Sequence, residues 1–165
     1  MLPGLQEMFE SAYKVAHSTE TALLKVQSDI LNAIDKQESV LLLLLDLSAA
    51  SDTVDHVILL SRLNARYGIK GNVLHWFASY LKERRQFIQV ENARSSSVEL
   101  QWGVPQGSVL GPILYTLYTA PFGDIIRKHG LQFHLYADDC LICVSFKPGP
   151  NEESAALLKM EARLC

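Results

Sequence analysis

The stretch Leu131-Gln-Phe-His-Leu-Tyr-Ala-Asp-Asp-Cys-Leu-Ile-Cys-Val-Ser-Phe146 places two adjacent acids between two apolar runs. Each run has the length and composition of a β-strand, so the stretch predicts a β-hairpin with Ala137 and Asp138 near its turn. Two-residue hairpin turns favour Asn-Gly or Asp-Gly because they need positive φ angles, and this turn has neither. The carboxylates of Asp138 and Asp139 therefore have two interpretations: oxygen ligands for a divalent cation, or a solvated acidic turn.

The chain before and after this hairpin alternates helical and strand patterns. Ser18 can cap a helix that ends before Gln37, and residues 39–47 form an apolar run that predicts a central strand ending at Asp46. Further elements are a second hairpin over residues 86–102 and helices over residues 51–67, 71–81, 110–121 and 152–165. This order predicts an α+β fold, in which a mostly antiparallel sheet is backed by helices.

Two features in the middle of the chain have two interpretations each. The helix over residues 71–81 carries apolar and aromatic side chains at helical spacing, which favours a buried face over a base-stacking platform: Val73, Trp76, Phe77, Tyr80 and Leu81. The hairpin after it is bordered by basic residues that form either a phosphate-contacting patch or, more often, a solvated face: Lys82, Arg84, Arg85 and Arg94.

Composition narrows the possible classes of protein. The chain has 165 residues, of which 48% are hydrophobic and 20% charged, as expected for one globular domain. Its net charge of −3 does not favour binding to a polyanion such as nucleic acid. Any electrostatic attraction to nucleic acid must therefore come from a local basic patch. The apolar run over residues 40–45 is too short to span a membrane, so we expect no membrane partner.

The cysteines favour a reducing, intracellular setting. The chain has three cysteines and no basic and apolar leader after Met1. Cys140 and Cys143 have the C-x-x-C spacing of some zinc and redox sites, but they fall in a predicted strand, where residues three apart point to opposite faces. A zinc site at these cysteines is therefore not expected.

A third acid, Asp46, follows the first apolar strand, and a sheet can bring it beside Asp138 and Asp139. Three converging carboxylates repel each other unless cations neutralise them, which predicts a two-metal site with ions roughly 3.5–4 Å apart. The loop from Gly103 to Gly111 adds glycines that permit close approach of a ligand and the amide of Gln106. A tight strand-to-helix turn accounts for the same glycines without a ligand.

Three segments together resemble the reverse transcriptase domain of retrotransposons without long terminal repeats, the LINE type. They are Leu45-Asp-Leu-Ser-Ala-Ala-Ser-Asp-Thr-Val-Asp-His56, Gly103-Val-Pro-Gln-Gly-Ser-Val-Leu-Gly-Pro112 and Tyr136-Ala-Asp-Asp139. The resemblance implies a partial reverse transcriptase domain, with a fingers remnant over residues 1–38, a polymerase palm over residues 39–165 and no thumb. It also implies an RNA-directed DNA polymerase that extends a DNA primer on an RNA template with dNTPs. The intracellular location is expected from the cysteines, and a nuclear location is implied by the resemblance alone.

The resemblance also implies roles for single residues. Asp46 and Asp138 would bind two Mg²⁺ ions, which Mn²⁺ can replace, and Asp139 would complete the acidic cluster. Tyr136 would support the primer terminus. The remaining residues would lie beside the incoming nucleotide, and the last two of them would also contact the template: Leu47, Ser48, Ala49, Ala50, Ser51, Gln106 and Gly107.

The chain departs from the family pattern at Ser51 and in its extent. The family usually has a bulky aromatic residue at the position of Ser51, where it excludes a 2′-hydroxyl, so we expect weakened discrimination against ribonucleotides or weakened nucleotide binding. Basic fingers segments and the thumb are expected outside residues 1–165, so the isolated chain is expected to polymerise poorly or not at all. The alternative is a palm-like remnant that binds RNA or protein without catalysis. The oligomeric state is not predicted.

Overall fold

Five α-helices, one short 3₁₀ helix and seven strands occupy the residues that the computed structural model describes, which are 17–46, 49–149 and 151–164. The helices are α1 (Thr19–Asp35), α2 (His56–Ala65), α3 (Gly71–Leu81), α4 (Leu110–Lys128) and α5 (Glu152–Leu164), with the 3₁₀ helix at Ala50–Asp52. The strands are β1 (Ser39–Asp46), β2 (Arg85–Gln86), β3 (Gln89–Val90), β4 (Ala93–Arg94), β5 (Val98–Glu99), β6 (Gln132–Tyr136) and β7 (Asp139–Phe146). The order confirms the predicted α+β class.

The elements divide into two compact units. The acid-bearing unit contains α1, β1, the part of α4 from Thr119 onward, β6, β7 and α5. The loop-bearing unit is the segment Ala49–Tyr118. The predicted division into fingers and palm stays a prediction.

An antiparallel sheet of strand order β1-β7-β6 organises the acid-bearing unit. Its register runs from Ser39 opposite Phe146 to Asp46 opposite Asp139. The expectation that β1 is a central strand is wrong for the described strands, because β7 pairs with both neighbours and β1 lies at the edge. Leu44 on β1 is accordingly 73% exposed.

The two faces of this sheet are packed differently. One face carries the core against α4 and α5, formed by Ile126, Leu131, Phe133, Leu135, Cys140, Ile142, Val144, Ala156 and Met160. On the opposite face, α1 contacts the sheet, and Asp29 Oδ2 lies 2.9 Å from Nε2 of His134 on β6. The hydroxyl of Ser18 caps α1 by accepting from the backbone N–H of Thr21, so the predicted start of this helix is confirmed.

In the loop-bearing unit, α2 begins later than expected. The cap is Asp55, whose Oδ1 accepts from the backbone N–H of Ile58, while the predicted start at residues 51–53 falls in the 3₁₀ turn and just after it. Leu59 and Leu63 are fully buried, whereas Val57 is 77% exposed. Leu59 and Leu63 are four residues apart and therefore share the buried face of α2, and Val57 lies outside that face.

Helix α3 has the predicted bounds but not the predicted burial. Of its apolar stripe only Leu81 is buried, and Trp76 is 52% exposed. Periodicity locates an apolar stripe on a helix, but it does not say what covers the stripe.

Helix α4 continues past Pro121, where the sequence predicts its end. A proline inside a helix leaves the carbonyl four residues earlier without its N–H donor. Here that carbonyl belongs to Leu117, and the hydroxyl of Tyr67 donates to it at 3.1 Å. The guanidinium of Arg62 donates to the next carbonyl, that of Tyr118. The Tyr67 hydroxyl thus replaces the donor that Pro121 lacks, which explains why the helix continues through this proline.

No helix in the described part of the chain is both long and apolar enough to span a bilayer.

Candidate active site

Two acids face each other where strands β1 and β7 meet. Asp46 ends β1 and is the register partner of Asp139, which begins β7. Tyr136 ends β6 and is the partner of the same Asp139 on the other side. Because paired residues on neighbouring strands project to the same face of a sheet, the side chains of Asp46, Asp139 and Tyr136 share one face.

The hairpin turn beside them holds the third acid in a strained backbone. The predicted hairpin is confirmed, with Ala137 and Asp138 as the two residues between β6 and β7. Ala137 has a φ of 55°, a left-handed conformation that costs a residue with a Cβ roughly 1–2 kcal/mol. Strained backbone of this kind tends to occur at active sites, so the conformation of Ala137 favours a functional site at this turn.

This end of the sheet is open to solvent. Asp46, Asp138 and Asp139 are all exposed, and Leu44, two residues before Asp46 on the same face, is exposed as well. Within the described residues none of the three carboxylates forms a hydrogen bond or an ion pair with the protein. All three are therefore available to an external ligand.

The donor chemistry of these acids suits a hard divalent cation, which prefers carboxylate oxygens. The backbone places Asp46 opposite Asp139 and beside the turn of Asp138. Among the described side chains, however, no group of three or more His, Cys, Asp and Glu residues is close enough to hold a metal ion. The strand register thus assembles the acids, while their side chains do not converge on a common point.

The predicted nucleotide-binding residues lie in different parts of the chain. Leu47 and Ser48 are outside the described residues. In the loop-bearing unit, Ala49 has a φ of 55°, Ala50 is buried and Ser51 is half-buried in the 3₁₀ turn.

The loop from Gly103 to Gly111 is hydrogen-bonded to the backbone around Ser51. The backbone N–H of Val104 donates to the Ser51 carbonyl at 2.8 Å, and the N–H of Gly103 donates to the Val54 carbonyl at 2.8 Å. The structure therefore brings Ser51 and the Gln106 loop together, although about fifty residues separate them in sequence.

Two side chains that received no role from the sequence complete this connection. Gln106 Nε2 donates to Asp52 Oδ1 at 3.0 Å, and His56 Nε2 lies 2.7 Å from the Gly103 carbonyl oxygen. Both Asp52 and His56 belong to the segment Leu45–His56, which carries part of the family resemblance. Their place in that segment is the signal that could have identified them.

Close packing explains two of the loop glycines. A Cβ on Gly103, whose φ is 91°, would lie 3.1 Å from Asp52 Cα. A Cβ on Gly111 would lie 2.6 Å from the Pro105 carbonyl oxygen. Gly107 has a φ of 72° and no atom within 4 Å of its Cβ position, so there the requirement is conformational.

A groove of about 580 Å³ lies beside this loop within the loop-bearing unit. It is lined by the Gln106 loop, by Arg84 and Arg85 where β2 begins, and by Gln101 and Trp102 after β5. Each unit thus carries one candidate feature: the acids at the sheet end in the first, and this groove in the second.

A sequence profile of the reverse transcriptase (RNA-dependent DNA polymerase) family matches residues 5–164. The chain belongs to the reverse transcriptase family. The predicted LINE-type resemblance is confirmed by two relatives in Drosophila melanogaster. One, a probable RNA-directed DNA polymerase from transposon X-element, is 31% identical over 92% of this chain and 16% of its own length. The other, from transposon BS, is 34% identical over 66% of this chain and 12% of its own length.

A solved structure is similar in fold. The apo telomerase from Candida tropicalis, truncated from its C-terminal domain, superimposes with a TM-score of 0.62. The match covers 93% of this chain and 32% of that one, at 14% identity. This likeness supports a partial polymerase palm as the fold of this reverse transcriptase segment. The segment spans less than a fifth of the length of the two transposon relatives.

Proposed function

We propose that this reverse transcriptase segment supplies the nucleotidyl-transfer site of a LINE-type RNA-directed DNA polymerase. The observation that carries the proposal is the register pair of Asp46 and Asp139 beside the turn of Asp138, in a chain that the family profile matches almost throughout. The substrates are then an RNA template, a DNA primer and dNTPs.

Members of this family generally use divalent metal ions. We assign Asp46 and Asp138 as ligands of two Mg²⁺ ions, replaceable by Mn²⁺, with Asp139 completing the cluster. Exposed, unpaired carboxylates repel each other. Bound cations would neutralise their negative charge and draw the side chains together. When bound, two such ions activate the attacking hydroxyl and stabilise the departing pyrophosphate.

The other residues of the site bind and position the substrates. Tyr136, which shares a sheet face with Asp46 and Asp139, supports the primer terminus. Leu47, Ser48, Ala49 and Ala50 line the triphosphate, and Gln106 and Gly107 contact the incoming nucleotide. The hydrogen bond to Asp52 fixes the Gln106 amide nitrogen, which leaves its oxygen free to accept a hydrogen bond from that nucleotide.

Ser51 takes the position at which the family usually has an aromatic sugar gate. Its small side chain leaves room for a 2′-hydroxyl, so we expect weak discrimination between dNTPs and rNTPs. Restoring a ring with Ser51→Phe should increase selectivity for dNTPs in primer extension. Equal ratios of dNTP to rNTP incorporation in the wild-type and Ser51→Phe proteins would show that residue 51 does not control sugar selectivity.

Metal binding tests the acid site without requiring turnover. Titration of the 165-residue protein with Mn²⁺, followed by electron paramagnetic resonance, should show saturable binding that Asp46→Asn and Asp138→Asn each weaken at least tenfold. Glu38→Gln, which removes a carboxylate just before β1, is the matched control and should change nothing. Saturable binding that survives both aspartate substitutions would reject the assigned ligands.

Primer extension on an RNA template tests the reaction. Slow extension with Mg²⁺ or Mn²⁺ that Asp138→Asn abolishes is the expected result. Extension that is indifferent to Asp138→Asn would contradict the proposal.

A non-catalytic RNA-binding or protein-binding segment is the second candidate, favoured by Ser51 at the gate position. RNA binding that resists EDTA, together with no metal binding at Asp46 and Asp138, would favour it.

A further inference from the structure

Two aromatic rings and an arginine form a ladder at the end of helix α3. The rings of Trp76 and Tyr80 are stacked, with centroids 5.5 Å apart and planes 13° from parallel. The guanidinium of Arg84 lies 5.3 Å from the Tyr80 ring centroid, and its Nη1 donates to the Tyr80 carbonyl at 3.3 Å. Trp76, the outermost member, is 52% exposed. A large flat ring is thus presented to solvent and held in place by its neighbour.

An exposed aromatic ring is also paired with an arginine in the short hairpin after α3. The guanidinium of Arg94 lies 3.4 Å from the centroid of the Phe87 ring, and Phe87 is 43% exposed. Trp102 near the end of this region is 56% exposed. Exposed aromatic rings in the loop-bearing unit therefore occur together with arginines.

Positive charge is concentrated in the same loop-bearing unit. The segment Ala49–Tyr118 has seven Lys and Arg residues against five Asp and Glu residues, a net charge of +2 in a chain whose net charge is −3. Among the described residues, the guanidinium groups of Arg84, Arg85 and Arg94 form no ion pair with a carboxylate. These arginines are free to meet an anionic partner.

The ladder continues into the groove beside the Gln106 loop. Arg84 is both the last member of the ladder and a lining residue of the groove, which Arg85 and Trp102 also line. A strand lying in the groove at Gln106 can therefore continue over Arg84 onto Tyr80 and Trp76.

We propose that this stacking surface, formed by Trp76, Tyr80, Arg84, Arg85 and Trp102, binds a single-stranded nucleic acid. Bases stack on the exposed rings, and the arginines contact phosphates. The inference rests on the proposed function only in taking RNA template, rather than single-stranded DNA, as the strand. Protein interfaces are enriched in the same aromatic and arginine side chains, so composition alone does not decide between the two kinds of partner. The net charge of +2 in this segment, and the arginines that form no ion pair among the described residues, favour a polyanionic strand.

Fluorescence anisotropy with a labelled 12-nucleotide single-stranded RNA tests the surface in the 165-residue protein. Trp76→Ala should weaken binding about tenfold, since one base loses its stacking partner. Trp76→Phe keeps a ring and should retain most of the affinity. Binding that is unchanged in Trp76→Ala would overturn the proposal, as would an absence of RNA binding by the folded wild-type protein.

Salt dependence separates the two kinds of contact. Arg84→Gln should reduce the slope of log affinity against log salt by about 0.7, as expected for one lost phosphate contact on a single strand. Trp76→Ala should leave the slope unchanged, and the matched control Lys70→Gln, an exposed lysine before α3, should change neither affinity nor slope. An equal loss of slope in Lys70→Gln would indicate diffuse attraction and overturn the assigned contacts.

Three further measurements distinguish single-stranded RNA from competing occupants of the stacking surface. Duplex RNA should bind more weakly than the single strand, and duplex binding of equal strength would overturn the proposal. A single-stranded DNA that binds more tightly than RNA would overturn the template assignment. A doubling of mass in light scattering that Trp76→Ala abolishes would identify a second copy of the chain as the occupant and overturn the proposal.

Asp46→Asn combined with Asp138→Asn should keep RNA affinity within about twofold, because these acids are not part of the stacking surface. A loss of RNA binding in this variant would overturn the inference. A failure of metal binding in the wild-type protein would reject the proposed function and leave the stacking surface intact.

Discussion

The acid-bearing unit and the loop-bearing unit are each stabilised internally by different interactions. In the first, a three-stranded sheet packs one face on a core of nine buried residues and presents its acids at the strand ends. In the second, the strands are only two residues long, and hydrogen bonds tie the Gly103 loop to the backbone at Ser51 and Val54. The candidate site residues thus lie on a three-stranded sheet in one unit and on a hydrogen-bonded loop in the other. Mutations should affect the two units through different mechanisms.

The largest effect is expected in the sheet core. Ile142 is fully buried, so Ile142→Ala should lower the free energy of unfolding by about 3–4 kcal/mol in urea denaturation. Leu44 is 73% exposed on the opposite face of the same sheet, so Leu44→Ala should lower it by less than about 1 kcal/mol. Similar losses at the two positions would show that Leu44 is covered in solution.

The loop-bearing unit should be most sensitive where backbone atoms are closest. Gly111→Ala would place a Cβ 2.6 Å from the Pro105 carbonyl oxygen, so the loop must shift, at a cost of roughly 2–3 kcal/mol of unfolding free energy. Gly107→Ala has free space and should lose only about 1 kcal/mol, from its positive φ. Thermal unfolding of both variants measures the difference, and equal losses would rule out a steric cause.

A buried thiol makes the stability of the acid-bearing unit depend on pH. Burial, and secondarily the negative charge of Asp29, raise the pKa of Cys143 from 9.0 to about 11. Folding therefore favours the protonated thiol, and its contribution is present below pH 9 and lost as pH rises toward 11. Between about pH 8 and pH 10 the wild-type protein should lose about 1 kcal/mol more unfolding free energy than Cys143→Ala. Parallel pH profiles for the two proteins would contradict this.

The smallest expected effect on stability is at Asp52. Its hydrogen bond to Gln106 is exposed, so Asp52→Ala should change the unfolding free energy by about 0.5 kcal/mol. The same substitution frees the Gln106 amide and should weaken binding of Mg·dTTP several-fold in isothermal titration calorimetry. Asp52→Asn keeps an oxygen acceptor and should retain affinity; a loss as large as that of Asp52→Ala would point to the charge instead.

Local signals in the sequence predicted much of the fold. The cap at Ser18, the hairpin around Asp138 and the bounds of α3 are confirmed, because each depends on residues within a few positions of one another. The three acids were predicted as metal ligands from their positions at strand ends and from the family resemblance. Their assignment stays a prediction.

Three predictions that depended on distant parts of the chain were wrong. The leucines of β1 suggested a central strand, but among the described strands β1 pairs only with β7 and lies at the edge. The stripe on α3 suggested a core helix, but Trp76 is exposed. Pro121 suggested a helix end, but the hydroxyl of Tyr67 supplies the missing donor from more than fifty residues away.

The sequence alone determined an acidic hairpin, an α+β order of elements and membership of the reverse transcriptase family, because motif residues and local propensities are written along the chain. Only the tertiary structure decided that Asp46 is opposite Asp139, that the Gln106 loop is bonded to Ser51 and that Trp76 of α3 faces solvent. These depend on strand register and long-range packing, which short-range patterns do not specify.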